Sequence, residues 1–152
     1  METKNLLISG LRELEIEPLD FVISCFDKYL HELKKWNRAY NLTALKKDED
    51  IIIKHFFDSL LYLKVIPDGQ WSICDIGSGA GFPGMPMAIV RPELTVTLID
   101  PSRKKSAFLR HMKRTISLNN VEVIEAQVED VKDRLFDIAV TRVLFSIIDL
   151  TK

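Results

Sequence analysis

The chain has 152 residues, with 47% hydrophobic and 28% charged side chains and a formal net charge of −1 at pH 7. That is the balance of a soluble globular protein large enough to bury a core, and length alone favours one domain. It argues against a membrane-spanning protein, a disordered chain and a uniformly basic polyanion binder.

The N-terminal half reads as helical. Leu6, Leu7, Leu11 and Leu14 recur at helical spacing. Pro18 opens a second segment with Leu19, Val22, Ile23, Phe26, Leu30, Leu33 and Trp36 on one face. A polar break at residues 37–43 and an acidic Asp48-Glu-Asp precede a third helix, Ile51 to Val65, which Pro67-Asp-Gly stops. Met-Glu-Thr-Lys-Asn lacks the charged-then-apolar layout expected of a secretory signal. Cys25 and Cys74 lie in separate apolar stretches and read as buried reduced thiols, as expected in the cytoplasm. His31, His55 and His111 show no metal-ligand spacing.

The pattern changes at Trp71. Strand-like runs at Trp71–Ile76, Thr95–Asp100, Val121–Ala126 and Phe136–Arg142 alternate with a short helix around Pro86–Val90 and a longer one from Ser102 to Ser117. In that longer helix Ala107, Phe108, Met112 and Ile116 are the expected buried stripe. Alternation at this pitch predicts βαβ units: an α/β, Rossmann-like parallel sheet behind an N-terminal helical cap. The expected division is residues 1–68 as the helical region and 69–152 as the cofactor-binding half. Only four strands are legible and Phe145 to Lys152 reads as the start of another helix, so the last strands of such a fold are expected to be missing.

The chemistry is concentrated in Asp75-Ile-Gly77-Ser-Gly79-Ala-Gly81-Phe-Pro-Gly84. Glycines after a strand let a ligand approach the backbone, and a following helix offers free N–H groups. Gly79-x-Gly81-x-x-Gly84 also fits the dinucleotide pattern, which keeps NAD in play. Asp100, ending the next strand, is placed for ribose hydroxyls in either class of site. Asp75 favours S-adenosylmethionine over NAD, because a carboxylate there suits an ammonium group and would repel a pyrophosphate.

With Arg91-Pro-Glu and Thr97-Leu-Ile-Asp100, this loop closely resembles the glucose-inhibited division protein B family of bacterial methyltransferases. Trp36-Asn-x-x-Tyr-Asn-Leu-Thr43 and His55-x-x-Asp58-Ser-Leu resemble that family's two helical-region motifs, in the same order. The resemblance covers all of this chain but only the front three-quarters or so of a usual member. It implies a class I methyltransferase fold that transfers a methyl group from S-adenosylmethionine to guanine N7 in 16S ribosomal RNA or the small ribosomal subunit. A cytoplasmic monomer without metal is expected. Cofactor contacts are implied at Gly77, Phe82 and Asp100, and at Val128 and Glu129 after the third strand. Arg142, in Val140-Thr-Arg-Val, is the implied residue beside cofactor and target base. Where the family has Gly-Lys-Arg this chain has Arg103-Lys-Lys105, which keeps the charge but not the glycine.

Residues 101–121 carry Arg103, Lys104, Lys105, Arg110, Lys113 and Arg114 and no acid, which makes a candidate RNA face or a merely solvated one. A ring-nitrogen target agrees with the residues, since guanine N7 needs no general base. The Asn/Asp-Pro-Pro-aromatic element of exocyclic-amine enzymes is replaced here by Thr141-Arg-Val-Leu144. Arg142 is then an orienting group for the base or an RNA phosphate, or a strand-end arginine paired with an acid such as Glu129. His55 and Asp58 serve either to fix the cap or to contact substrate; Trp36 is expected in the core. Two other readings stand: an S-adenosylmethionine-binding fragment that is catalytically incomplete, and a nicotinamide-dependent oxidoreductase.

Overall fold

A computed structural model describes residues 2–142. The expected helix at Phe145–Lys152 lies outside the described residues.

The N-terminal helices are α1 (Glu2–Glu13) and α2 (Asp20–Tyr40). A continuous helical path follows, in which α3 (Asp48–Ile51) passes through a π-wound segment (Ile52–Phe57) into α4 (Asp58–Leu60) and a 3-10 turn (Leu61–Val65). Sequence periodicity reads this path as one regular helix, because its buried Ile52, Phe56 and Leu60 recur at i, i+4 and i+8, a spacing an α-helix also uses. The path also begins at Asp48, whose acidic first turn is favourable at a helix N-terminus.

The α/β layer comprises β1 (Ser72–Ile76), α5 (Gly84–Val90), β2 (Thr95–Asp100), α6 (Arg103–Thr115), β3 (Val121–Glu125), a 3-10 turn (Val128–Asp130) and β4 (Ile138–Val140). All pairings are parallel, in the order β3-β2-β1-β4. The central pair is buried on both faces, which is why Ile73, Cys74, Val96, Thr97 and Leu98 form nearly continuous apolar runs. β4 is shorter than its hydrophobic run and stops two residues before Arg142. Because every strand is parallel, the ends at Ile76, Asp100, Glu125 and Val140 share one edge of the sheet.

One hydrophobic core runs from Leu7 in α1 through Phe26, Phe56, Ile73 and Leu98 to Phe108 and Val140. Helices and sheet are therefore packed as one body. Two expected core positions are corrected. Ala107 is exposed, because the inward stripe of α6 is Ser106, Phe108, Leu109 and Met112, and Ala107 lies roughly 100° round the helix from Phe108. Leu19 is 55% exposed, because it precedes the first turn of α2 and points away from its stripe. Cys25 and Cys74 are both buried and free, and burial raises the pKa of each thiol. No helix among the described residues is long and apolar enough to cross a membrane.

Candidate cofactor site

The loop from β1 to α5 lies at the carboxyl edge, and its shape follows from its glycines. Gly77, Gly79 and Gly81 take φ values of 70°, 59° and 105°, in the region that a Cβ disfavours. At Gly79 an added Cβ would meet no atom within 4 Å. Only the backbone angle demands glycine there, and the space above it is open. Gly84 is different. A Cβ there would sit 2.5 Å from the Leu98 side chain and 2.8 Å from Asp75 Oδ2, so close approach to β1 and β2 fixes this residue.

Asp75 is fully buried. Its Oδ2 accepts the Gly84 N–H at 2.8 Å, at the start of α5. Its Oδ1 is buried without a hydrogen-bond partner. Desolvation pushes its pKa up from 3.8 to about 8, against the lowering effects of the Gly84 hydrogen bond and of Arg142. The Ser78 hydroxyl donates to the Asp75 main-chain carbonyl at 2.9 Å, not to the carboxylate. Asp100, also buried, is fully engaged with backbone: Oδ2 accepts Gly79 N–H at 2.9 Å and Oδ1 accepts Ser102 N–H at 2.8 Å. Ser102 caps α6 by accepting Lys105 N–H at 3.3 Å. Asp100 thus ties the glycine loop to the start of α6.

The helical cap closes the loop from the other side. Tyr29 is completely buried in α2, and its hydroxyl donates to the Ala80 carbonyl at 2.5 Å. Its ring stacks on Phe82, with centroids 5.4 Å apart and planes 9° apart. His55 stacks on Phe82 as well, at 4.3 Å and 8°. Phe82 is therefore held between two rings of the cap and is itself buried.

Arg142 follows β4 and reaches into the cap. Its NH1 lies 3.3 Å from His55 Nδ1, its NH2 donates to the Lys54 carbonyl at 3.1 Å, and NH2 is 3.8 Å from Asp58 Oδ2. The guanidinium carbon lies 5.7 Å from the Phe82 ring centre. The acid that Arg142 meets is thus Asp58, on the cap, and not Glu129. His55 Nε2 lies 2.7 Å from Thr43 Oγ1. Burial, reinforced by Arg142, lowers the His55 pKa from 6.5 to about 4, so the imidazole is neutral.

The structure therefore gathers Asp75, Gly77, Gly79, Gly81, Phe82, Asp100 and Arg142 around one loop. Val128 and Glu129 are exposed on the 3-10 turn after β3, at the same sheet edge. Arg103, Lys104 and Arg110 are exposed on α6, whereas Lys105 and Lys113 are half-buried. Arg110 pairs with Glu125 at 3.5 Å, and the Lys104 ammonium sits 5.5 Å from the Tyr40 ring centre. Trp36 packs edge-on to Phe108 at 5.4 Å but is only half-buried. Among the described residues no group of three or more His, Cys, Asp or Glu could hold a metal.

Tyr29 and the Thr43 hydroxyl also belong to this site, although residue patterning by itself does not single them out. Tyr29 had a visible signal: it falls between Phe26 and Leu30 in the apolar stripe of α2, and a buried hydroxyl there needs a partner. The role of Thr43 had none, because only folding brings it to His55.

Residues 22–152 match the family described as rRNA small subunit methyltransferase G. The chain belongs to that family. A ribosomal RNA small subunit methyltransferase G of Neisseria meningitidis is 38% identical over 149 residues, covering 98% of this chain and 72% of that protein. The protein of that name from Geobacter sulfurreducens is 40% identical over 140 residues, covering 90% of this chain and 64% of its own length. Solved structures agree on the fold. A protein-L-isoaspartate O-methyltransferase superposes with a TM-score of 0.60 at 14% identity, over 92% of this chain and 48% of its own. A Methanococcus maripaludis protein described as a putative S-adenosylmethionine-dependent methyltransferase gives 0.55 at 15% identity, over 74% and 48%. The parallel sheet in the order β3-β2-β1-β4, with helices packed on it, is thus a class I methyltransferase fold.

Proposed function

We propose that this chain binds S-adenosylmethionine at the Gly77–Gly81 loop and directs its methyl group to guanine N7 of small-subunit ribosomal RNA in the cytoplasm. The observation that carries the reading is the pairing of the open floor at Gly79 with two dissimilar aspartates. The donor set fits the cofactor. The partnerless Asp75 Oδ1 suits an ammonium group, which would relieve the cost of ionising this buried carboxyl. Asp100 holds Gly79 N–H with Oδ2 and keeps lone-pair capacity for ribose hydroxyls. Phe82, stacked between Tyr29 and His55, would back the loop from the cap side, and Val128 and Glu129 would flank the adenine.

When bound, S-adenosylmethionine supplies an electrophilic methyl on a sulfonium. The protein's part is to position the groups in line and exclude water, because guanine N7 already has a free lone pair and needs no base. That matches the neutral His55, whose pKa is lowered to about 4 and which is a weak base at neutral pH, and Asp75, whose carboxyl is reserved for the ammonium group. Arg142 is the residue to orient the base or a phosphate, since guanidinium matches either in a bidentate fork. Arg103, Lys104, Lys105, Arg110 and Lys113, on the helix that starts beside Asp100, are the RNA-facing set. In this division residues 1–68 back the site and 69–152 hold the cofactor, with the protein acting as a monomer and without a metal.

The test is activity on small subunits from cells that lack the modification, read as N7-methylguanine by mass spectrometry. Product at a single guanine is expected. Calorimetric titration should show S-adenosylhomocysteine binding far tighter than NAD. The reverse order would overturn the cofactor assignment, and cofactor binding without product would leave a binding module.

A further inference from the structure

The π-wound segment Ile52–Phe57 is the least regular element of the cap, and π turns recur at functional sites. It turns the Lys54 carbonyl and the His55 ring towards Arg142, and Asp58 follows at its end. All of Arg142's polar partners named above come from this stretch. His55 is meanwhile fixed in three directions: its face lies flat on Phe82, Nε2 meets Thr43 Oγ1, and Nδ1 meets Arg142.

These contacts leave one tautomer. A guanidinium can only donate, so Nδ1 must be the unprotonated acceptor. The proton of the neutral ring then sits on Nε2 and is donated to Thr43 Oγ1, which also accepts Leu45 N–H at 3.1 Å. A histidine that merely filled space would have no such requirement.

We propose that His55 is a positioning residue for methyl transfer: as the Nε2–H tautomer it holds the Arg142 guanidinium through Nδ1 and braces Phe82 with its ring face. Its effect on turnover rests on the methyltransferase reading, but its tautomer and its bond to Arg142 do not. Burial and the adjacent guanidinium both disfavour the imidazolium, which would have no lone pair to offer Arg142. Thr43 in turn sets the ring's orientation, itself tied back through its N–H to the buried Asn37 Oδ1 at 2.9 Å.

Nitrogen-15 NMR of the protein tests the tautomer directly. The expected spectrum has a protonated Nε2, an unprotonated Nδ1 and no titration between pH 5 and 8. An Nδ1–H form, or titration near 6.5, would overturn the proposal. Kinetics test the role. His55→Phe keeps a flat ring on Phe82 and removes the acceptor, so kcat should fall about ten- to a hundredfold, with S-adenosylhomocysteine affinity within about twofold. His55→Asn, whose carbonyl oxygen can stand in for Nδ1, should recover part of the loss. Combining His55→Phe with Arg142→Ala should lower kcat no further than Arg142→Ala alone. Additive losses, or an unchanged kcat in His55→Phe, would sink the idea. If the unaltered protein makes no N7-methylguanine, the activity reading fails, while the NMR result still decides the His55–Arg142 contact.

Discussion

Asp75 and Asp100 sit near the ends of neighbouring parallel strands and flank the same glycine loop, but the fold uses them differently. Asp100 has both carboxylate oxygens on backbone N–H groups and so fixes the loop's shape. Asp75 has one oxygen on Gly84 N–H and the other on nothing, and burial pushes its pKa to about 8. Identical side chains one strand apart thus do different work. A carboxylate with both oxygens on backbone N–H groups holds structure, whereas a buried one with a single donor is costly to ionise.

The sharpest way to break this comparison is Gly84→Val, which drives side-chain atoms into Asp75 and Leu98. A loss of about 3 kcal/mol or more is expected from overpacking and the broken hydrogen bond, read by urea denaturation. Next is Asp100→Ala. It strands the Gly79 and Ser102 N–H groups, so S-adenosylhomocysteine affinity should fall roughly tenfold to a hundredfold, with about 1–3 kcal/mol lost from stability. Unchanged affinity by calorimetry would remove Asp100 from the site.

Asp75→Asn should separate binding from stability. In the unfolded chain Asp75 ionises near 3.8, and in the folded one near 8. Between those values the folded state binds more protons, so this group makes stability fall as pH rises, by up to about 1.4 kcal/mol per unit. His55 acts oppositely at lower pH: with its pKa lowered to about 4, it makes stability rise from pH 4 to 6.5. Between 6.5 and 8 only the Asp75 slope remains of these two. Thermal melts should therefore show Asp75→Asn flattening that slope, its stability relative to the unaltered protein rising by up to about 1.4 kcal/mol for each pH unit towards pH 8, while its cofactor affinity drops. A variant with an unaltered slope would show that Asp75 ionises normally.

The smallest effects should lie outside the loop. Arg103→Glu or Lys104→Glu should leave S-adenosylhomocysteine affinity unchanged, weaken RNA binding a few-fold and lower the salt slope by about one per lost phosphate contact. Filter binding across a salt series checks this, and an unchanged slope would return α6 to the status of a solvated helix face.

Much of this molecule was legible in its residues. Glycine spacing, the β-branched run ending at Asp100 and the alternation after Trp71 carry local information, because backbone freedom and side-chain periodicity are local properties. They determined the parallel sheet and the loop but kept NAD in play; Asp75 and the family resemblance pointed to S-adenosylmethionine. Burial of Ala107 and Leu19 was misjudged because a helix's inward face depends on what it packs against. The π turn was invisible because the spacing of Ile52, Phe56 and Leu60 suits an α-helix equally well.

What only the tertiary structure decided is which groups meet. Tyr29 and Ala80, or His55 and Arg142, are separated by 51 and 87 positions along the chain, and no spacing rule links residues so distant. The same holds for Asp75. Its identity and place at a strand end were plain in the sequence, but its full burial and its bond to Gly84 N–H follow from the packing of α5 against β1.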